Sequence, residues 1–114
     1  MTRDREKFLF DMLDSCRFLL ELTAQESVNR YVSDRAFRGA VERELQIIGE
    51  AMLQLRSLDR STAERISEHE RIIGFRHVLV HRYDVLEPDI VWHIVKDRLP
   101  VLRVQLEELL GSSQ

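Results

Sequence analysis

Apolar residues recur at steps of three and four along almost the whole chain, a spacing that commits it to amphipathic helices rather than strands. Phe8, Leu9, Met12, Leu13, Cys16, Leu19 and Leu20 share one stripe of a helix read from Asp4 to Ala24. Gln25 to Tyr31 then reads as a polar interruption. Phe37, Val41, Leu45, Ile48, Met52 and Leu55 line a second helix over Asp34 to Arg56, with Ser33 as its expected N-cap because a hydroxyl there accepts from a first-turn amide. Ser57 to Glu70 is the most polar stretch, and Ser61-Thr62-Ala63-Glu64 within it reads as a capping box that opens a short helical turn near 61–66. Ile72, Ile73, Phe75, Val78 and Leu79 mark a third helix from Glu70 to Arg82. A fourth starts at Pro88, where a missing amide donor costs nothing, and runs through Trp92, Val95, Leu99, Leu102, Leu106 and Leu109 to Gly111. Pro100 inside that span predicts a kink.

With four Gly and two Pro in 114 residues there is little loop punctuation, so the expectation is an all-α four-helix bundle over residues 1–114 as one domain. The formal charge of −3 excludes a protein held to nucleic acid by bulk charge and leaves room only for a local basic patch. A lone cysteine, Cys16, sits among apolar neighbours at helical spacing and reads as a small buried residue in a reducing compartment. The charged opening Met1-Thr2-Arg3-Asp4-Arg5-Glu6-Lys7 is unlike a secretory signal, and no run of roughly 20 apolar residues follows. The expected location is the cytoplasm, with no membrane contact.

Chemistry concentrates in the third helix. Arg76, His77, His81, Arg82 and Tyr83 lie within eight positions with few acids to balance them; the plain alternative is a solvated polar face opposite Ile73 and Leu79. At about 100° per residue, Arg76 and Tyr83 fall within about 20° of each other, while Arg76 and His81 stand about 140° apart. Either the helix unwinds near His81, or two protomers share a cleft. His77 and His81, four apart, also have the spacing of a metal-ligand pair, but the zinc-protease pattern needs a Glu after the first His and Val78 stands there. Gly49 costs about 1 kcal/mol relative to Ala in a helix interior, which points to a close helix crossing. Glu50 beside it is either exposed or holds a basic group of the third helix. Trp92 lies on the apolar stripe and reads as core, with His93 at its edge.

Arg76-x-x-x-x-His81-x-Tyr83, preceded by Ile72-Ile73-Gly74-Phe75 and followed by the Asp89-Ile90-Val91-Trp92 helix, resembles the signature of the HEPN superfamily, and more narrowly the HepT-like toxins. Gln46-Ile47-Ile48-Gly49-Glu50-Ala51 resembles the second-helix motif of the same family, and the likeness spans about residues 3 to 110. The resemblance implies a HEPN-like bundle that dimerises and acts as a metal-independent RNase toxin, without a cofactor. It also implies a neighbouring MntA-like nucleotidyltransferase antitoxin that neutralises the toxin by AMPylating Tyr83. By that resemblance Arg76 and His81 form the catalytic pair. His77 stands where the family usually carries a smaller polar residue, most often Asn. Arg82, at a position often acidic or variable, adds a cation for phosphate, and Glu50 supports the motif.

The chemistry of metal-free RNA cleavage suits these residues. A ribose 2′-OH attacks the adjacent phosphate, which requires a group that moves protons near neutral pH, as His does, and a fixed cation for the charge on the phosphoryl oxygens, as a forked guanidinium is. His81 fits the first role and Arg76 the second, both expected to face solvent; no carboxylate cluster marks a two-metal nuclease. The competing reading is a catalytically silent helical adaptor that dimerises and binds a nucleotidyltransferase. A sequence-specific DNA-binding protein is the weakest, since no helix-turn-helix spacing is visible. Tyr83, with an ordinary phenol pKa near 10, reads as a switch rather than a proton shuttle, or else as a cap on the core where the helix ends.

Overall fold

The computed structural model describes residues 2–112, leaving aside the side chains of Thr2, Arg3, Tyr83 and Ser112. Every regular element among these residues is helical, as the periodicity requires. Four long helical spans carry the bundle: α1 (Thr2–Thr23), α3 (Arg35–Leu58), α5 (His69–His81), and a last span made of α6 (Pro88–His93), a π-helical stretch (Ile94–Arg98) and α7 (Leu99–Ser112). Two short helices, α2 (Val28–Ser33) and α4 (Arg60–Ala63), sit in the connections. α3 is the centre: α1, α2, α4 and α5 all pack on it, and α7 packs on α1. The stripe read in α1 is the core, with Leu9, Met12, Cys16 and Leu19 fully buried against Val41, Met52 and Leu55 of α3 and Val95 and Leu106 of the last span. Burial pushes the Cys16 thiol up to about 12, with Arg103 nearby opposing the shift, so Cys16 is a packing residue without a reactive thiolate.

Several connections differ from the sequence reading, each for a local reason. The polar interruption at 25–31 contains most of α2, and Tyr31 within it is 2% exposed. Its ring lies 6.3 Å from Trp92, and its hydroxyl donates to Glu42 Oε2 at 2.5 Å. A six-residue helix is too short for periodicity to reveal. Trp92 is half-buried rather than core, tilted against Tyr31 and Phe37 with Lys96 Nζ above its ring, while His93 is exposed and faces Asp97.

Ser33 ends α2 instead of capping α3; the cap is Asp34, whose carboxylate accepts from the Phe37 amide at 3.0 Å. That bond, more than the neighbouring Arg30, holds the Asp34 carboxyl below its ordinary value. Likewise the cap of α4 is Asp59, not the box at Ser61: it accepts from the Thr62 hydroxyl at 2.7 Å, the Ser61 hydroxyl at 2.9 Å and the Thr62 amide at 3.2 Å, and its carboxyl is held far below the usual carboxylate range. In both places a charged acceptor stands where a hydroxyl was expected, and the carboxylate satisfies the orphan amides of the first turn more strongly.

Pro88 opens α6 as expected. Pro100 is accommodated upstream, by the wider π turn at Ile94–Arg98, because its ring crowds the carbonyl four residues before it and it has no amide to offer. Lys96 in that turn donates to the Thr23 carbonyl at 2.6 Å, satisfying an acceptor at the end of α1. No helix among the described residues is long and apolar enough to cross a membrane.

Candidate active site

α5 is placed by its two ends and one crossing. At its start, Glu68 adopts a left-handed backbone (φ 63°) and pairs with both Arg71, at 2.9 Å, and Arg98 of the π turn. Ser67 and Gln105 of α7 exchange two further hydrogen bonds. At mid-helix, Gly49 of α3 meets Arg76 so closely that a Cβ there would stand 2.2 Å from Arg76 Cβ. The close crossing read from Gly49 is therefore real, and its partner is the arginine of the motif. Glycine is needed for approach rather than for backbone freedom.

That contact sets the geometry of Arg76. Its guanidinium turns along α3 to Glu50, Nη2 to Oε2 at 2.8 Å, and is 28% exposed instead of solvent-facing. The pair is made through one guanidinium nitrogen. Gln54 fixes the other carboxylate oxygen of Glu50 from one helical turn away, at 3.2 Å. Glu50 is thus both partly exposed and a salt-bridge partner.

His81 lies elsewhere. α5 stays helical to this residue, so the expected divergence from Arg76 is kept and the unwinding alternative is not what the chain adopts. His81 and His77 are both exposed, one turn apart with ring centroids 4.7 Å from each other. Among the described residues no group of three or more His, Cys, Asp or Glu forms around them. The helix stops one residue earlier than read: Arg82 is the C-cap, exposed, its amide bonded to the Val78 carbonyl at 2.8 Å. Tyr83 begins a 3₁₀ turn (Tyr83–Val85), so the argument that set it on the face of Arg76 does not carry past the helix end; its side chain lies outside the described residues.

Two concavities flank α5. One, about 370 Å³, lies where α1, α3 and α5 meet; Arg76 and Glu50 line it with Lys7, Arg43 and Gln46. Gln46 opens the motif read over Gln46 to Ala51, whereas Lys7 and Arg43 were missed by sequence reasoning; Arg43, seven residues before Glu50 and so on nearly the same face of α3, was the available signal. The other, about 460 Å³, is apolar, with Ile72, Phe75 and Val78 of α5 facing Ile94, Val101 and Leu102. The expected core stripe of α5 is therefore only partly internal, since Leu79 alone of its described residues is buried.

The comparisons identify the family. Residues 12–109 match the family model described as ribonuclease HepT-like. A candidate RNase of Methanocaldococcus jannaschii is 31% identical over 92% of this chain and 95% of its own length. A candidate RNase of Caldanaerobacter subterraneus subsp. tengcongensis is 32% identical over 94% and 95% respectively. A Thermococcus cleftensis protein whose name is ribonuclease HepT is 27% identical over 96% and 98%. No solved structure matches. On the family match and these full-length relatives, the chain belongs to the HepT-like ribonuclease family, of HEPN type.

Proposed function

We propose that this protein is an endoribonuclease and the toxin of a toxin–antitoxin pair, cutting RNA without a metal through Arg76 and His81. The observation that carries the reading is the Gly49 crossing, which fixes Arg76 against Glu50 in the lining of a cleft. In the reaction His81 takes the proton of a ribose 2′-OH as O2′ attacks the adjacent phosphorus. The P–O5′ bond breaks, the departing oxygen takes up a proton, and a 2′,3′-cyclic phosphate remains. Arg76 stabilises the charge that builds on the non-bridging oxygens. His77, its ring tilted at 48° to that of His81 and 4.7 Å away, positions it, and Arg82 adds a cation beside it.

The working unit is a homodimer. Arg76 and His81 leave α5 on different sides, so a two-fold arrangement lets each protomer complete the other's site. The open apolar face of Ile72, Phe75 and Val78, rimmed by both signs of charge at Glu68, Arg71 and Arg98, suits self-association. Its antitoxin is an MntA-like nucleotidyltransferase that AMPylates Tyr83, placing a phosphodiester and a nucleotide beside the cations that RNA needs. The location is cytoplasmic.

The test is cleavage of labelled RNA by the purified chain with chelator present. Arg76→Ala and His81→Ala are each expected to lower the rate about 100-fold or more with folding intact. Absence of cleavage by the wild-type chain returns the silent-adaptor reading. Cleavage that vanishes with chelator and returns with zinc assigns His77 and His81 to a metal. Intact mass after co-expression with the neighbouring nucleotidyltransferase, and its change in Tyr83→Phe, tests the switch.

A further inference from the structure

The cleft between α1, α3 and α5 has an unbalanced rim. Of its three cations, Lys7 pairs with Asp11 at 2.9 Å and Arg76 with Glu50 at 2.8 Å, which commits both lining carboxylates. Arg43 is exposed and makes no ion pair or hydrogen bond among the described residues. Gln46, one turn further along α3, offers an amide donor and acceptor that are likewise unengaged there. The wall behind them is apolar, formed by Phe8, Ile47 and Val80, and Val80 is 38% exposed although nothing polar requires it to be. A ligand that completes this cleft carries one negative charge, a flat apolar face and a hydrogen-bonding edge.

Resting on the ribonuclease reading above, the geometry points to this cleft as a subsite for one unpaired nucleotide of single-stranded RNA next to the scissile phosphate. Arg43 forks onto its backbone phosphate, the base lies against Phe8 and Val80, and Gln46 meets the base edge. Continuity decides this assignment over a remote anion site: Arg76, which meets the reacting phosphate, lines the same cleft, so a strand leaving Arg76 along α3 passes Gln46 and then Arg43. Cation-to-phosphate contacts set affinity and register, whereas an amide on a base edge sets preference among bases. The base must be unstacked to enter, so paired RNA is excluded.

The experiment uses the full chain carrying His81→Ala, which binds without cutting, and a short fluorescent single-stranded RNA of mixed sequence read by anisotropy. Adding Arg43→Ala is expected to weaken binding about tenfold at low salt and to lower the slope of log affinity against log salt by about 1. Arg43→Lys restores most of the salt slope, and Arg65→Ala, an exposed cation outside the cleft, leaves both unchanged. Gln46→Ala shifts the ranking of homopolymer RNAs instead of weakening all alike. In the cleaving wild-type background, Arg43→Ala raises KM and leaves kcat in place. If wild type cleaves and Arg43→Ala binds and cleaves as its parent does, the subsite is wrong while the ribonuclease reading stands. If wild type neither cleaves nor binds RNA, that reading itself has failed and the subsite falls with it.

Discussion

α3 and α5 touch at Gly49 and carry similar apolar content, yet they are held in opposite ways. α3 buries Phe37, Val41, Leu45, Ile48, Ala51, Met52 and Leu55 and has α1, α2, α4 and α5 around it. α5 carries Ile72, Ile73, Phe75, Val78 and Leu79, buries only Leu79, and packs mainly on α3. Its ion pairs and hydrogen bonds to the last span gather at the N-terminal end, through Glu68 with Arg98 and Ser67 with Gln105. The C-terminal end, with His77, His81 and Arg82, is left exposed. The difference teaches how a small bundle separates stability from chemistry. A helix wrapped by neighbours supplies the folding free energy, and a helix docked by one face keeps the other free for a substrate or a second copy.

The contrast is sharpest in paired truncations. Leu55→Ala, at a fully buried site in α3, is expected to cost about 2–5 kcal/mol by urea unfolding. Phe75→Ala, half-buried beside the apolar cleft, is expected to cost about 1 kcal/mol or less in the monomer and to weaken self-association in sedimentation. Equal losses at the two sites would break the comparison. A smaller effect is expected at the contact itself. Gly49→Ala places a Cβ where Arg76 Cβ already stands, so α3 and α5 must move apart at a cost of about 1–3 kcal/mol, and RNA cleavage falls because Arg76 leaves Glu50. A variant with unchanged melting and full activity would show that the crossing is looser than 2.2 Å implies.

An effect of similar size to that at Phe75 concerns the contact of α2 with α3, two turns before the Gly49 crossing. Burial first, then the hydrogen bond to Glu42, raises the Tyr31 phenol above its ordinary value. For a group raised on folding, the stability is present below its unfolded pKa, near 10 for a phenol, and is lost as pH rises beyond it. Tyr31→Phe is expected to cost about 1 kcal/mol near neutrality, because Glu42 loses its donor. The gap between wild type and Tyr31→Phe should then narrow in melts above pH about 10. A gap that stays constant across that range would remove the hydroxyl from the account.

Much of this molecule is legible before any coordinates. The stripes of α1 and α3 are local periodicities, and each position in them finds a core partner because a helix presents the same face wherever it docks. The motif Arg76-x-x-x-x-His81, the Gly49-Glu50 pair and the start at Pro88 are equally local. The short helices fared less well. α2 hides within a polar run, and the caps at Asp34 and Asp59 lie one residue after Ser33 and two before Ser61, the hydroxyls that looked like better signals, because either residue type suits an N-cap and only the final backbone selects one.

Sequence alone determined that this chain is helical, where its long helices run, and that its polar chemistry gathers on one of them, since helix geometry depends on spacing along the chain. The tertiary structure decided which neighbours those side chains meet. It laid Arg76 against Gly49 and Glu50 instead of solvent, left Ile72, Phe75 and Val78 around an open cleft, and absorbed Pro100 in a π turn. It also brought Lys7, Arg43 and Gln46 to the rim beside Arg76. Each of these outcomes depends on how closely two helices approach, and that distance is set by atoms far apart in the chain.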